Sequence, residues 1–85
     1  MKILNLSILT PDNNNVFSGE VTRVKVPGAD GSFDILPGHA AIISSLQKGA
    51  IRYTIGKDDF FINVSDGIVE VANNKVIVLV ESAKV

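Results

Sequence analysis

The chain has 85 residues, 46% of them hydrophobic, and eight Lys plus Arg stand against nine Asp plus Glu for a formal net charge of −1. That length allows one small domain, expected to span residues 1–85, and such a domain buries only roughly 60 to 65% of its unfolded surface, so it needs a dense apolar core or a partner. The charge balance, with four Phe, one Tyr and no Trp, argues against nucleic-acid binding, which wants a basic surface and stacking rings, and the absence of cysteine removes disulfides and thiolate chemistry.

Ile and Val together supply 21 residues, and β-branched side chains suit pleated sheets better than helices. The chain is therefore expected to be all-β. Residues 2 to 10 alternate as a first strand. The run MKILNLSILT is interrupted by Asn5 and Ser7 and lacks a following cleavage site, so it does not read as a signal peptide. Asn5-Leu6-Ser7 and Asn63-Val64-Ser65 match the glycosylation pattern, but without a secretory signal they are chance matches. Pro11-Asp12 and the polar run Asn13 to Asn15 close the first strand. Glu20 to Val26 is the second, and the apolar spacing Val21, Val24, Val26 points to a bulge near Thr22 or Arg23.

Pro27-Gly28 and Pro37-Gly38 read as type II turns, because Pro presets one backbone angle and Gly supplies positive φ. Between them lies a short strand, Ser32 to Leu36. Ile42 to Leu46 is a further strand; HAAIISSL also satisfies two helical turns, and its shortness decides for strand. Ala50 to Ile55 and Phe60 to Val64 flank a hairpin at Gly56 to Asp59. A second hairpin is expected at Ser65-Asp66-Gly67, between Phe60 to Val64 and Ile68 to Ala72, and a two-residue turn at Asn73-Asn74. The nearly continuous apolar run KVIVLVES from Lys75 reads as a central strand buried on both faces. Turn signals about every ten residues suit a sandwich or barrel rather than βαβ units; the expected fold is a small β-sandwich of two mainly antiparallel sheets, the architecture implied by the family resemblance given below, with Ile35, Ile62, Val64, Val69, Val71, Val78 and Val80 in the core. No apolar stretch approaches the ~20 residues of a membrane-spanning helix, so no direct membrane insertion is expected.

Reactive chemistry is thinly supplied. His39 is the single histidine, and although Asp30, Ser32 and Asp34 are near in sequence, proximity along the chain does not make a catalytic constellation. The simpler reading is a histidine that caps a turn or packs at an interface. Asp58-Asp59 reads as a solvated hairpin tip rather than a calcium site, and one histidine lacks zinc-ligand spacing. PGADGS is followed by neither a helix nor G-K-[ST], and Asp30 would repel phosphate. No catalytic residue, cofactor or metal is expected.

The stretch VKVPGADGSFDILPGHA, residues 24 to 40, followed by Leu46 and KGAIRY, closely resembles the amino-terminal β-sandwich of the epsilon-subunit family of F-type ATP synthases. That resemblance implies a non-catalytic subunit at the foot of the rotating central stalk. Its partners would be the gamma subunit and the c-ring, and it would couple ring rotation to gamma so that an ion gradient, expected to be of protons, drives ATP synthesis. It implies a peripheral place at the cytoplasmic face of the bacterial plasma membrane. Carried over by position, Gly28, Asp30, Gly31 and Ser32 fall in the loop facing the c-ring, and His39, Ala40 and Ala41 fall where gamma is contacted. Many members of the family place an acidic residue where Ser32 stands and Pro where Ala41 stands, which leaves Asp30 as the expected charged ring contact. The two-helix carboxyl-terminal domain usual in the family has no match after the last strand, so its inhibition of hydrolysis is expected to be missing. The alternative is a stand-alone β-sandwich ligand-binding module of carbohydrate-binding type, for which a single Tyr53 and no Trp offer little platform.

Overall fold

The alternation of apolar and polar residues organises ten strands in the structure, a computed structural model that describes residues 3–12 and 15–84. They are β1 Leu4–Leu9, β2 Phe17–Val21, β3 Arg23–Val26, β4 Phe33–Ile35, β5 Ile42–Leu46, β6 Gly49–Ile55, β7 Asp58–Val64, β8 Gly67–Ala72, β9 Lys75–Val80 and β10 Ala83–Lys84. Asn13 and Asn14, within the expected first turn, lie outside the described residues. No helix occurs among the described residues, and none is therefore long and apolar enough to cross a membrane.

The strands form two five-stranded sheets, ordered β2-β1-β9-β8-β5 and β10-β7-β6-β3-β4. Every pairing is antiparallel except β1 with β9. The result is the expected two-layer, all-β sandwich. Every second residue of the paired strands turns inward, and the buried core includes all seven residues expected there, together with Leu4, Leu6, Ile8, Val24, Val26 and Ile51. Tyr53 packs within it between Phe17, at a ring-centroid distance of 4.4 Å, and its cross-strand partner Phe60, at 5.5 Å.

Four local expectations are corrected. The three-residue spacing from Val21 to Val24 marks a change of sheet, not a bulge: the Thr22 N–H and hydroxyl both donate to the Thr54 carbonyl, at 2.8 and 3.1 Å, so β2 ends in one layer and β3 begins in the other. Ser65-Asp66 likewise is no hairpin, since β7 and β8 lie in different sheets. Gly28 has no positive φ; its N–H reaches back to Val26 O at 3.1 Å, so Pro27-Gly28 is not a type II turn. Finally, β9 is central but buried on one face alone, with Leu79 40% exposed.

Other turns follow their residues. Gly38 adopts φ 87° and His39 N–H donates to Leu36 O at 3.0 Å, closing the expected type II turn. Gly56 takes φ 64° as the first central residue of a β6–β7 turn two residues long; Asp58 and Asp59, expected within that turn, belong instead to β7, where Asp59 accepts the Thr54 hydroxyl at 2.6 Å. Asn73 and Asn74, at φ 52° and 62°, form the β8–β9 turn with the double positive φ of type I′. After β9, Ser65 and Ser82 bond to each other, Ser82 N–H donating to Ser65 Oγ at 3.0 Å. This places β10, which the sequence pattern did not announce, beside β7.

Gly67 is required by close approach. A Cβ there would collide with the Leu79 carbonyl and come within 2.8 Å of Val80 Cγ1. Gly67→Ala is expected to destabilise the fold by about 2 kcal/mol or more, read from chemical denaturation; unchanged stability would show that β8 and β9 separate freely there. Burial pushes the Tyr53 phenol above its ordinary value of 10.0, so ionisation is easier in the unfolded chain. Stability should be flat with respect to this group below that value and fall as pH rises beyond it. Tyr53→Phe should reduce the fall measured by urea unfolding between pH 9 and 11.

Candidate functional site

The segment from Pro27 to Ala41 lies where the chain passes from one sheet to the other. Pro27 and Gly28 are buried. Gly28 makes an isolated bridge to Leu46, Ala29 N–H donates to Ser45 O at 2.9 Å, and Gln47 N–H donates to Pro27 O at 2.9 Å. The loop therefore joins β3 to its antiparallel partner β4 within the second sheet and is stitched to the edge of β5 in the first. Gly31 N–H then closes on Gly28 O at 3.0 Å, and Gly31 stands at φ 128°, where an L side chain is strained. These bonds present Asp30, Gly31 and Ser32 at the surface, all exposed. Gly28 shapes the loop from beneath.

β4 carries the chain to the other turn. Pro37-Gly38 reverses it, and His39, Ala40 and Ala41 lead into β5. His39 is half-buried. Its Nδ1 donates to the Ala40 carbonyl at 2.8 Å, and its ring lies 6.4 Å from that of Phe33. Phe33 follows Ser32 directly, so the Phe33 and His39 rings bring together segments that leave opposite ends of β4. None of Asp30, Ser32 or Asp34 is hydrogen-bonded to His39. Asp34 instead sits 3.8 Å from Arg52 Nη2, an exposed pair of small energetic weight. No group of three His, Cys, Asp or Glu side chains converges among the described residues.

The two outer faces differ. Across the second sheet the registers align Asp34, Lys25, Arg52 and Phe61, three charged side chains ending at a phenylalanine that is 58% exposed. Across the first they align Ile43, Glu70 and Ile77, and beside them Ile68, Leu79 and Leu9. Ile43 is 72% exposed, and Ile68 and Leu79 are also solvent-exposed. These apolar side chains share the face with Ser7, Ser45 and Glu70, and the segment 39–41 runs straight into it through β5. Reading KVIVLVES as doubly buried hid this face. The corrective signal was Glu70, which shares the outer side with Ile77 and has to reach water. Tyr53, considered as a sugar platform, is buried in the core.

The fold defines the class as a small all-β sandwich of two five-stranded sheets, with exposed apolar side chains on one outer face. Residues 3–85 match the family model described as ATP synthase, Delta/Epsilon chain, beta-sandwich domain, and the chain belongs to that family. Among its relatives are the ATP synthase epsilon chain of Nitratidesulfovibrio vulgaris, 46% identical over 83 residues, covering 98% of this chain and 61% of the relative, and ATP synthase epsilon chain 2 of Syntrophotalea carbinolica, 42% identical over 81 residues, covering 95% and 58%. The chain thus spans about three fifths of the length of these relatives. The same fold occurs in a chain of the Euglena gracilis mitochondrial ATP synthase, with TM-score 0.88 at 18% identity over 95% of this chain and 52% of that one. It recurs in the Tetrahymena thermophila mitochondrial ATP synthase central stalk and c-ring structure, with TM-score 0.79 at 15% identity over 94% and 64%.

Gly28 tests how the exposed loop is held. A Cβ there would lie 2.6 Å from Gly31 O and 2.9 Å from the Phe33 ring. Gly28→Ala is expected to cost about 1–3 kcal/mol in stability and to shift the amide resonances of Asp30 to Ser32. Unmoved resonances would show that the loop keeps its shape without this packing.

Proposed function

We propose that this chain is a non-catalytic central-stalk component of an F-type ATP synthase, gripping the gamma subunit and the c-ring so that ring rotation is passed to gamma. Membership of the epsilon-chain sandwich family over residues 3–85 carries the reading. In it, His39, Ala40 and Ala41, continuous through β5 with exposed Ile43, face gamma. Asp30, Gly31 and Ser32, on the loop shaped by Gly28 and stitched to β5, face the polar loops of the c-ring. The protein's part is mechanical: it presents two rigid contact surfaces on one small core, and bond chemistry takes place on other subunits. The complex would hold it peripherally at the cytoplasmic face of the bacterial plasma membrane, with protons as the coupling ion.

The test is affinity for purified gamma. His39→Ala should leave the fold intact, because the side chain lies outside the core, and should weaken binding by ~1 to 3 kcal/mol, the range for truncating a packed contact. Unchanged affinity would remove His39 from the interface. A hydrolase activity of the isolated chain that vanishes in this variant would replace the mechanical reading with an enzymatic one.

A further inference from the structure

We infer that Asn74, remote in sequence from the proposed gamma-contact segment, is its positioning residue; the inference rests on the reading of residues 39–41 given above. In a type I′ turn both central residues have positive φ, and Gly is the residue that adopts this without steric cost. The β8–β9 turn has Asn73 and Asn74 there, at φ 52° and 62°. Asparagine is the side chain that best tolerates that region, and at position 74 its carboxamide has a use that glycine lacks. Asn74 Oδ1 accepts the Gly38 N–H at 2.7 Å, across 36 residues of sequence. Only the oxygen of the amide can accept a backbone N–H, so the orientation of the side chain is fixed by its partner.

The main chain of the same residue is also engaged, since Asn5 N–H donates to Asn74 O at 2.8 Å. Asn74 therefore ties the connection between β4 and β5 to the centre of the first sheet, where β1 and β9 pair. Within its own turn, the Leu36 to His39 connection is closed by one hydrogen bond, His39 N–H to Leu36 O. The Asn74 bond adds a second anchor at Gly38, immediately before the segment His39 to Ala41. Without it, Gly38 is tethered by its neighbours alone, and the segment samples more orientations before it meets a partner, which lowers affinity through the cost of ordering.

Two substitutions separate the parts. Asn74→Gly keeps a residue suited to positive φ and removes the acceptor; Asn74→Asp keeps an acceptor oxygen and tolerates the same backbone. Amide hydrogen exchange of Gly38 is read in the isolated protein, and affinity for purified gamma is measured for both variants beside His39→Ala. Asn74→Gly is expected to speed Gly38 exchange about fivefold, as the net loss of one hydrogen bond implies, and to weaken gamma binding severalfold. Asn74→Asp should recover both. Unaltered Gly38 exchange in Asn74→Gly overturns the proposal. Faster exchange with unchanged gamma affinity, while His39→Ala weakens binding, also overturns it and leaves the gamma reading standing. If neither Asn74→Gly nor His39→Ala changes affinity, the gamma assignment of residues 39–41 falls and the positioning role falls with it.

Discussion

A chain of 85 residues without cysteine has to hold its fold chiefly by apolar burial, and it does so with one side of each short strand. Successive residues of a strand face opposite ways, so two five-stranded layers can bury their inner rows against each other while their outer rows stay in water. The centre of that packing is a set of fully buried side chains that includes Leu4, Ile8, Val24, Ile35, Ile51 and Val78. Each layer is completed only when the chain changes sheets. Thr22 with Thr54, Pro27 with Gln47, and Ser65 with Ser82 supply main-chain hydrogen bonds at those crossings. Of the proposed contact segments, His39 to Ala41 lies on such a crossing, from β4 to β5, whereas Asp30 to Ser32 sits on the β3–β4 loop within the second sheet and is tied to the first through Ala29 and Ser45.

Period-two alternation reports burial directly, and the seven expected core residues are all buried. The edge strand Ile42–Leu46, assigned by its shortness against a helical reading, has its observed bounds. What alternation does not report is which strand a turn leads to. Ser65-Asp66-Gly67 has hairpin chemistry, yet Gly67 is needed for its closeness to Leu79 and Val80 rather than for a tight turn. Val21 to Val24 breaks the alternation in the way a bulge or a change of sheet both would, and the long-range bond from Thr22 to Thr54 decides between them. β10 is two residues long, too short for any periodic signal.

The proposed contact surfaces were legible to different degrees. Pro37-Gly38 and the histidine after it were visible as a shaped turn, since Pro and Gly dictate local backbone angles. The stitching of Pro27 to Ala29 onto β5, the meeting of the Phe33 and His39 rings, and the Asn74 bond to Gly38 depend on residues that only the sheet topology brings together. The outer apolar face was obscured for a related reason. A central strand with Ile77 and Leu79 on one side and Val76, Val78 and Val80 on the other has the composition of a doubly covered strand, and Glu70 on its neighbour distinguishes the two cases. Surface exposure of Ile43, Ile68 and Leu79 is energetically unfavourable in water, and it is coherent for a domain that works in an assembly.

Coupling is the central claim, and gradient-driven ATP synthesis measures it most directly. The synthase is reconstituted into vesicles without this subunit, an ion gradient is imposed, and ATP formation is followed before and after the purified chain is added in equal proportion to gamma. The account predicts weak synthesis in its absence and recovery on addition, with hydrolysis by the catalytic head persisting throughout. Gradient-driven synthesis of equal rate with and without the chain would contradict a coupling role.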